Sequence, residues 1–367
     1  MKFIIKIALI SLVLSLLWSC QKENDLLKEG EMLFLKHKGA SMPVLVRGKY
    51  DSDAIILMVH GGAGGSSAPH IEDLGGLVEK EFMVAYWDQR HSGSSQGNFS
   101  KDLMTIEQFS EDMKYVVNML KNKYGADKKI FAMGHSWGVI LTTHYLITEE
   151  VGLQGVILSN GAHSSEHEYS ARMDYVHDFA QEMIEKGLSM PKTIKVEGKT
   201  FTTLEEVVQW TLQNDPIDNW EQLTILNELV YSVYDYVQDT YVQDESDGLI
   251  QVSKSEIDFY SPYNHLNEWT NDIRTSQLMN SFTDHSSIQE FYDFTPEMDK
   301  ITLPTCLIWG KYDDIIGLEV AYDYYDVINT PEEDKELIIL EHSDHIGMYL
   351  ENMKFSNALI DFVKAHK

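Results

Sequence analysis

The sequence predicts an α/β fold: a mostly parallel sheet with helices on both faces and an inserted helical segment. Three observations carry this. Short apolar runs alternate with amphipathic helical stretches through the first 160 residues, as strand–helix–strand units do. The alternation stops near His163 and resumes at Leu303, with a helical, aromatic-rich stretch between. Gly134-His135-Ser136-Trp137-Gly138 fits G-x-S-x-G, a pattern that needs a strand before its serine and a helix after it.

Composition bounds the answer. The chain has 367 residues, 43% of them hydrophobic, enough for one large domain with an insertion, or two domains. With 58 acidic and 29 basic residues the net charge is −29, which argues against nucleic acid or anionic lipid as the main partner. Cys20 and Cys306 are the two cysteines. Each has its own explanation, so no disulfide is expected. Cys306 sits in the apolar run Leu303 to Trp309 and reads as a small buried hydrophobe.

Residues 1–20 read as a leader outside the fold. Met1 to Lys6 carries positive charge, and Ile7 to Leu17 is an apolar run too short for a comfortable membrane span. Leu17-Trp18-Ser19-Cys20 resembles a lipoprotein cleavage site, where Cys20 becomes the lipidated N-terminus. Residues 21–30 form a tether. Its Gln21-Lys22-Glu23-Asn24-Asp25 resembles the short charged signals that send some bacterial lipoproteins to the cell surface. The expectation is an exported protein anchored by lipid to a bacterial membrane, at the outer membrane or cell surface, with no spanning helix.

The core elements follow in order. Glu31 to Lys36 and Pro43 to Gly48 look like a hairpin. Asp53 to Val59 and Phe82 to Trp87 are apolar runs of strands buried on both faces. Thr105 to Tyr124 has helical spacing, with Ile106, Phe109, Met113, Val116, Val117 and Leu120 on one face and a capping box suggested by Thr105 and Gln108. The strand Phe131–His135, a helix from Trp137 to about Thr148 and the strand Gly155–Asn160 come next. After the insertion, Leu303–Gly310 is a strand, about Leu318–Val327 a helix, Glu336–Leu340 a strand and roughly Met348–Ala365 a last helix. Residues 31–162 and 303–367 thus form the core, and residues 163–302 a helical cap over the carboxyl ends of the strands, where ligands bind in such sheets. The stretch 163–300 carries 27 acidic and 8 basic residues, so −19 of the net charge lies there.

Three motifs carry a resemblance: His60-Gly61-Gly62-Ala63-Gly64-Gly65, Asp88-Gln89-Arg90-His91-Ser92-Gly93-Ser94-Ser95 and Gly134-His135-Ser136-Trp137-Gly138. The chain resembles an α/β-hydrolase with a helical cap, and more narrowly the proline iminopeptidase branch of the S33 serine peptidases. His91 stands where that branch has glycine, and Ala63 where proline is usual. Ser136 is the candidate nucleophile, exposed on a strand-to-helix turn and needing a base to take its proton. The residue after it, Trp137, supplies one oxyanion-hole N–H, and a loop N–H after the Asp53–Val59 strand supplies the other. The resemblance assigns the second to Gly62, with Ala63 as the alternative. It also assigns the acid to Asp313, with Asp314 as the alternative, and the base to His345, leaving His342 as strand-end structure. Asp344, where glycine is common, is a charge that raises the imidazole pKa. Asp88 and Arg90 brace the site, and His60 is a buried, hydrogen-bonded residue.

The resemblance implies a serine hydrolase working through an acyl-enzyme on a Ser-His-Asp triad, an aminopeptidase of the proline iminopeptidase type acting on short peptides. One alternative is an esterase or other ester or amide hydrolase on the same triad. An alternative of another class is a surface-anchored binding protein on an inactive hydrolase fold. No cofactor is expected. The histidines form no H-E-x-x-H spacing, so no metal is expected either. Cap tryptophans Trp210, Trp220 and Trp269 read as packing, and Glu205, Glu206 and Glu221 as possible carboxylates for a substrate ammonium.

Overall fold

A computed structural model describes residues 30–97, 100–148, 152–248 and 292–367. The stretch read as a leader, with Cys20, lies outside them, as does Trp269. Among the described residues no helix is long and apolar enough to cross a membrane.

Eight strands form the main sheet: β1 (Glu31–His37), β2 (Ala40–Gly48), β3 (Ala54–Val59), β4 (Met83–Trp87), β5 (Lys129–His135), β6 (Leu153–Ser159), then β9 (Thr305–Gly310) and β10 (Lys335–Leu340). Their spatial order is β1-β2-β4-β3-β5-β6-β9-β10. The pairs β1–β2 and β2–β4 are antiparallel and the rest parallel. The short helices α1 (His70–Gly75) and α2 (Val78–Glu81) precede β4; α3 (Ile106–Tyr124) and α4 (Trp137–Thr148) flank β5.

Side chains alternate across the pleat. Ile55, Leu57 and Ala132 face one core with Phe109, Met113 and Leu141, from α3 and α4. Ile56, Met58 and Phe131 face the other with Phe355 and Leu359. Burial on both faces explains the unbroken apolar runs, and each such large side chain contributes roughly 1.5–3 kcal/mol.

Two local expectations are corrected. Thr105 caps α3, its hydroxyl accepting from the Gln108 N–H at 3.3 Å, but the Gln108 side-chain oxygen accepts from Lys38 Nζ at 2.8 Å instead of closing a box. The last helix is two pieces. After α8 (Leu318–Val327), α9 (Gly347–Leu350) and α10 (Asn352–His366) are separated at Glu351. The buried Glu351 carboxylate turns back to accept from the His342 N–H and the Ser343 hydroxyl, both at 2.8 Å.

The described part of the insertion holds α5 (Ser165–Glu185), α6 (Leu204–Gln213) and α7 (Trp220–Tyr241), packed through Met173, Val176, Val207, Leu226 and Val233. It also holds a hairpin that the helical reading does not foresee, β7 (Ile194–Val196) and β8 (Lys199–Phe201). Its turn, Glu197-Gly198, has φ of +46° and +74°, which suits a tight two-residue hairpin.

Candidate active site

Ser136 sits between β5 and α4 with a φ of +54°. Its N–H donates to Ser159 O on the neighbouring strand at 3.0 Å, and its carbonyl accepts from Val139 N at 2.8 Å. Gly138 must be glycine for space: a Cβ there would lie 1.9 Å from Val59 O. The helix therefore starts hard against β3, and Ser136, half-buried, stays at the bend.

The loop after β3 is built around His60. Its Nε2 accepts from Gln89 N at 3.2 Å, which leaves Nδ1 to donate to Gly61 O at 2.7 Å. Burial pushes this imidazole down to about 4, so it is neutral. Gln89 ties the loop to the serine turn. Its Nε2 donates to His60 O at 2.8 Å, and its Oε1 accepts from the Trp137 indole at 3.0 Å. Gly62 has a φ of +119°, and the Gly62–Ala63 peptide, where the family pattern has proline, is cis. Asp88 pins the same loop, its carboxylate accepting from Ser67 N at 2.8 Å and Ser94 N at 2.7 Å. Arg90 makes a buried bidentate pair with Asp112, at 2.7 and 2.8 Å. His91 has a φ of +56°, which explains why glycine suits that position.

Two aspartates follow β9, and the geometry separates them. Asp313 lies with both carboxylate oxygens 3.0 Å from His345 Nδ1. Its Oδ1 also accepts from Ile315 N and Ile316 N at 2.9 and 2.8 Å, and its Oδ2 from the Asn160 amide at 2.6 Å. Asp314 makes no such contact with His345 among the described residues. Burial, helped by the Asp313 charge, pushes its carboxyl up to about 7.

His345 follows β10. Burial would lower its imidazole, but the charge and hydrogen bond of Asp313, then the charges of Asp314 and Asp344, raise it above its ordinary value. Asp344 itself accepts from Ile346 N at 3.0 Å and from the Tyr234 hydroxyl of α7 at 3.3 Å. His342 is exposed at the strand end, away from this cluster.

From the insertion, Glu168 in the first turn of α5 accepts from the Tyr292 hydroxyl at 2.6 Å, and is near enough to feel the charges of His345 and Asp313. Tyr241 of α7 stacks on Tyr312, centroids 4.9 Å apart. Trp210 and Trp220 belong to the packing of the insertion. Glu205, Glu206 and Glu221 are exposed at helix starts, and Glu206 closes a capping box with Thr203. Glu205 and Glu221 lie in the first turns of α6 and α7, where negative charge suits the positive end of the helix dipole. Asn160, Gln89 and Glu168 carry no pattern that singles them out in sequence; Gln89 at least lies inside a quoted motif.

Residues 50–245, more than half of the chain, match the family model described as serine aminopeptidase, S33. A proline iminopeptidase of Saccharolobus solfataricus is 25% identical over 315 residues, 85% of each chain. The probable aminopeptidase YbaC of Bacillus subtilis is 23% identical over 331 residues, 88% of this chain and 93% of that one. Among solved structures, the proline iminopeptidase of Mycobacterium smegmatis superposes with a TM-score of 0.59 at 12% identity, covering 92% of this chain and 98% of that one. An esterase from Exiguobacterium antarcticum does so with a TM-score of 0.54 at 15% identity, over 91% of this chain and all of that one. These likenesses establish an α/β-hydrolase fold.

Proposed function

We propose that this chain, which belongs to the serine aminopeptidase family S33, removes the N-terminal residue of short peptides through an acyl-enzyme, with proline or a small residue first. One observation carries the reading: Asp313 is held by three donors so that its carboxylate meets His345 Nδ1. A base oriented in this way is what a serine at its free pKa lacks.

In the proposed reaction Ser136 Oγ attacks the carbonyl carbon of the first residue and His345 takes its proton. Asp313 keeps the imidazole oriented and stabilises it when charged. The N–H groups of Gly62 and Trp137 receive the developing oxyanion. The intermediate collapses, the leaving amine takes the proton from His345, and water, activated by the same histidine, releases the acid. Glu168 receives the substrate's ammonium. A relative that is a proline iminopeptidase supports the peptide over the ester.

Proline and alanine β-naphthylamide assays test this. Release of naphthylamine is expected. No release, alongside rapid cleavage of p-nitrophenyl esters, points to the second reading, an esterase on the same residues. That reading is favoured by a relative that is a protein phosphatase methylesterase of Debaryomyces hansenii, matched over 48% of this chain. For the leader, the proposal is export and anchoring through lipid on Cys20.

A further inference from the structure

The start of α5 meets α8 at a cluster that the proposed chemistry does not use. His163 lies in the loop after β6, His167 in the first turn of α5, and Asp323 in α8. Asp323 Oδ2 lies 2.9 Å from His163 Nε2 and 2.6 Å from His167 Nδ1. The ligand atoms of all three residues fall within 4.8 Å of one another. Yet none of these three atoms has a hydrogen-bond partner among the described residues. The distances are those of contacts, but no ring N–H is aimed at the oxygen.

The His163 side chain is fully buried, and both of its ring nitrogens are without a hydrogen-bond partner among the described residues. Nitrogen lone pairs and an anionic oxygen gathered at one point repel unless a cation lies between them. The two rings stand 5.2 Å apart at 76°, so their nitrogens approach from different directions.

We propose that His163 Nε2, His167 Nδ1 and Asp323 Oδ2 bind a divalent first-row transition metal ion, zinc foremost, which clamps the start of the inserted segment to the core. Two imidazoles and a carboxylate suit zinc, whereas calcium and magnesium take oxygen ligands. Zinc bonds of about 2.0–2.2 Å set tetrahedral ligand atoms roughly 3.3 Å apart. His167 and Asp323 are each 38% exposed, so small rotations can open the present contacts to that spacing, and water can take the fourth position. The helices already approach closely beside the cluster: a Cβ on Gly317 would lie 2.9 Å from that of Ala171. The expectation of no metal rested on local spacing, and Asp323 joins the two histidines only in the fold.

The test uses the full chain, freed of metal with chelator and titrated with ZnCl2. Bound zinc is counted after equilibrium dialysis, and the thermal midpoint is followed with and without the ion. One zinc per chain and a rise of about 5 °C or more are expected. Cobalt in place of zinc should give the visible bands of a four-coordinate site. His167→Ala and Asp323→Asn, both half-exposed, should stay folded, bind zinc at least about tenfold more weakly and lose the thermal rise. No stoichiometric binding overturns the proposal, as does binding to folded variants with the affinity of the parent chain, which puts the zinc elsewhere.

Discussion

His135 Nε2 lies 2.9 Å from the carbonyl oxygen of His345, so the residue before the proposed nucleophile holds the backbone of the proposed base. Burial, reinforced by the charge of His345, keeps the His135 imidazole well below its ordinary value. It is a neutral ring that donates one hydrogen bond. Replacing it removes that tie and the contact between the two rings, whose centroids are 4.9 Å apart, while the side chains of Ser136, Asp313 and His345 stay unchanged. His135→Ala should lower kcat/KM about tenfold, roughly 1.4 kcal/mol, while His135→Gln, which can still donate, should recover part of the loss. Equal losses in both variants would show that the hydrogen bond is not what matters.

The acid limb of the pH profile should lie above the ordinary histidine value. His345 must be neutral to accept a proton, so activity is present above its pKa and lost as the pH falls through it. Burial lowers that pKa, but Asp313, Asp314 and Asp344 together raise it. Asp344→Asn removes one of these charges and should move the acid limb of kcat/KM down by about half a unit to one unit. A limb that stays in place would show that the Asp344 charge does not raise the His345 imidazole.

Glu168→Gln keeps the shape of the side chain and its bond with Tyr292, but not the charge. For naphthylamide substrates with a free amine, KM should rise about tenfold to hundredfold, roughly 1.4–2.7 kcal/mol, with kcat changed little. Substrates whose amine is acetylated should show no such difference. A fall in kcat alone would place Glu168 with the structure rather than with the ammonium.

Much of this site was legible because its parts are local patterns. The strands β3, β4 and β5 read as continuous apolar runs because both their faces are buried, and the glycine turn read as a turn because Gly138 has no room for a side chain. Asp313 and Asp314 are neighbours of the same type, and in sequence only the spacing of the family pattern after Gly310 favours Asp313. The fold adds Asn160, at the end of another strand, whose amide nitrogen donates to Asp313 at 2.6 Å. Glu351 broke a helix that its spacing extends, because its carboxylate satisfies the loop before His345. Glu168 was one acidic residue among many until the fold set it near His345.

Expression with the native leader tests the proposed anchor. The mature chain should partition into detergent and carry lipid on Cys20. Cys20→Ser should shift it to the aqueous phase. Parent chain that is aqueous and unmodified would contradict the anchor and leave the hydrolase reading untouched.

Whether Ser136 is the nucleophile is decided by labelling with a fluorophosphonate, read by peptide mass spectrometry alongside naphthylamide hydrolysis. One adduct is expected, on Ser136, formed in step with loss of activity, and neither adduct nor activity in folded Ser136→Ala. Hydrolysis that survives in Ser136→Ala, or folded parent chain that hydrolyses its substrate without taking label at Ser136, would contradict Ser136 as the nucleophile.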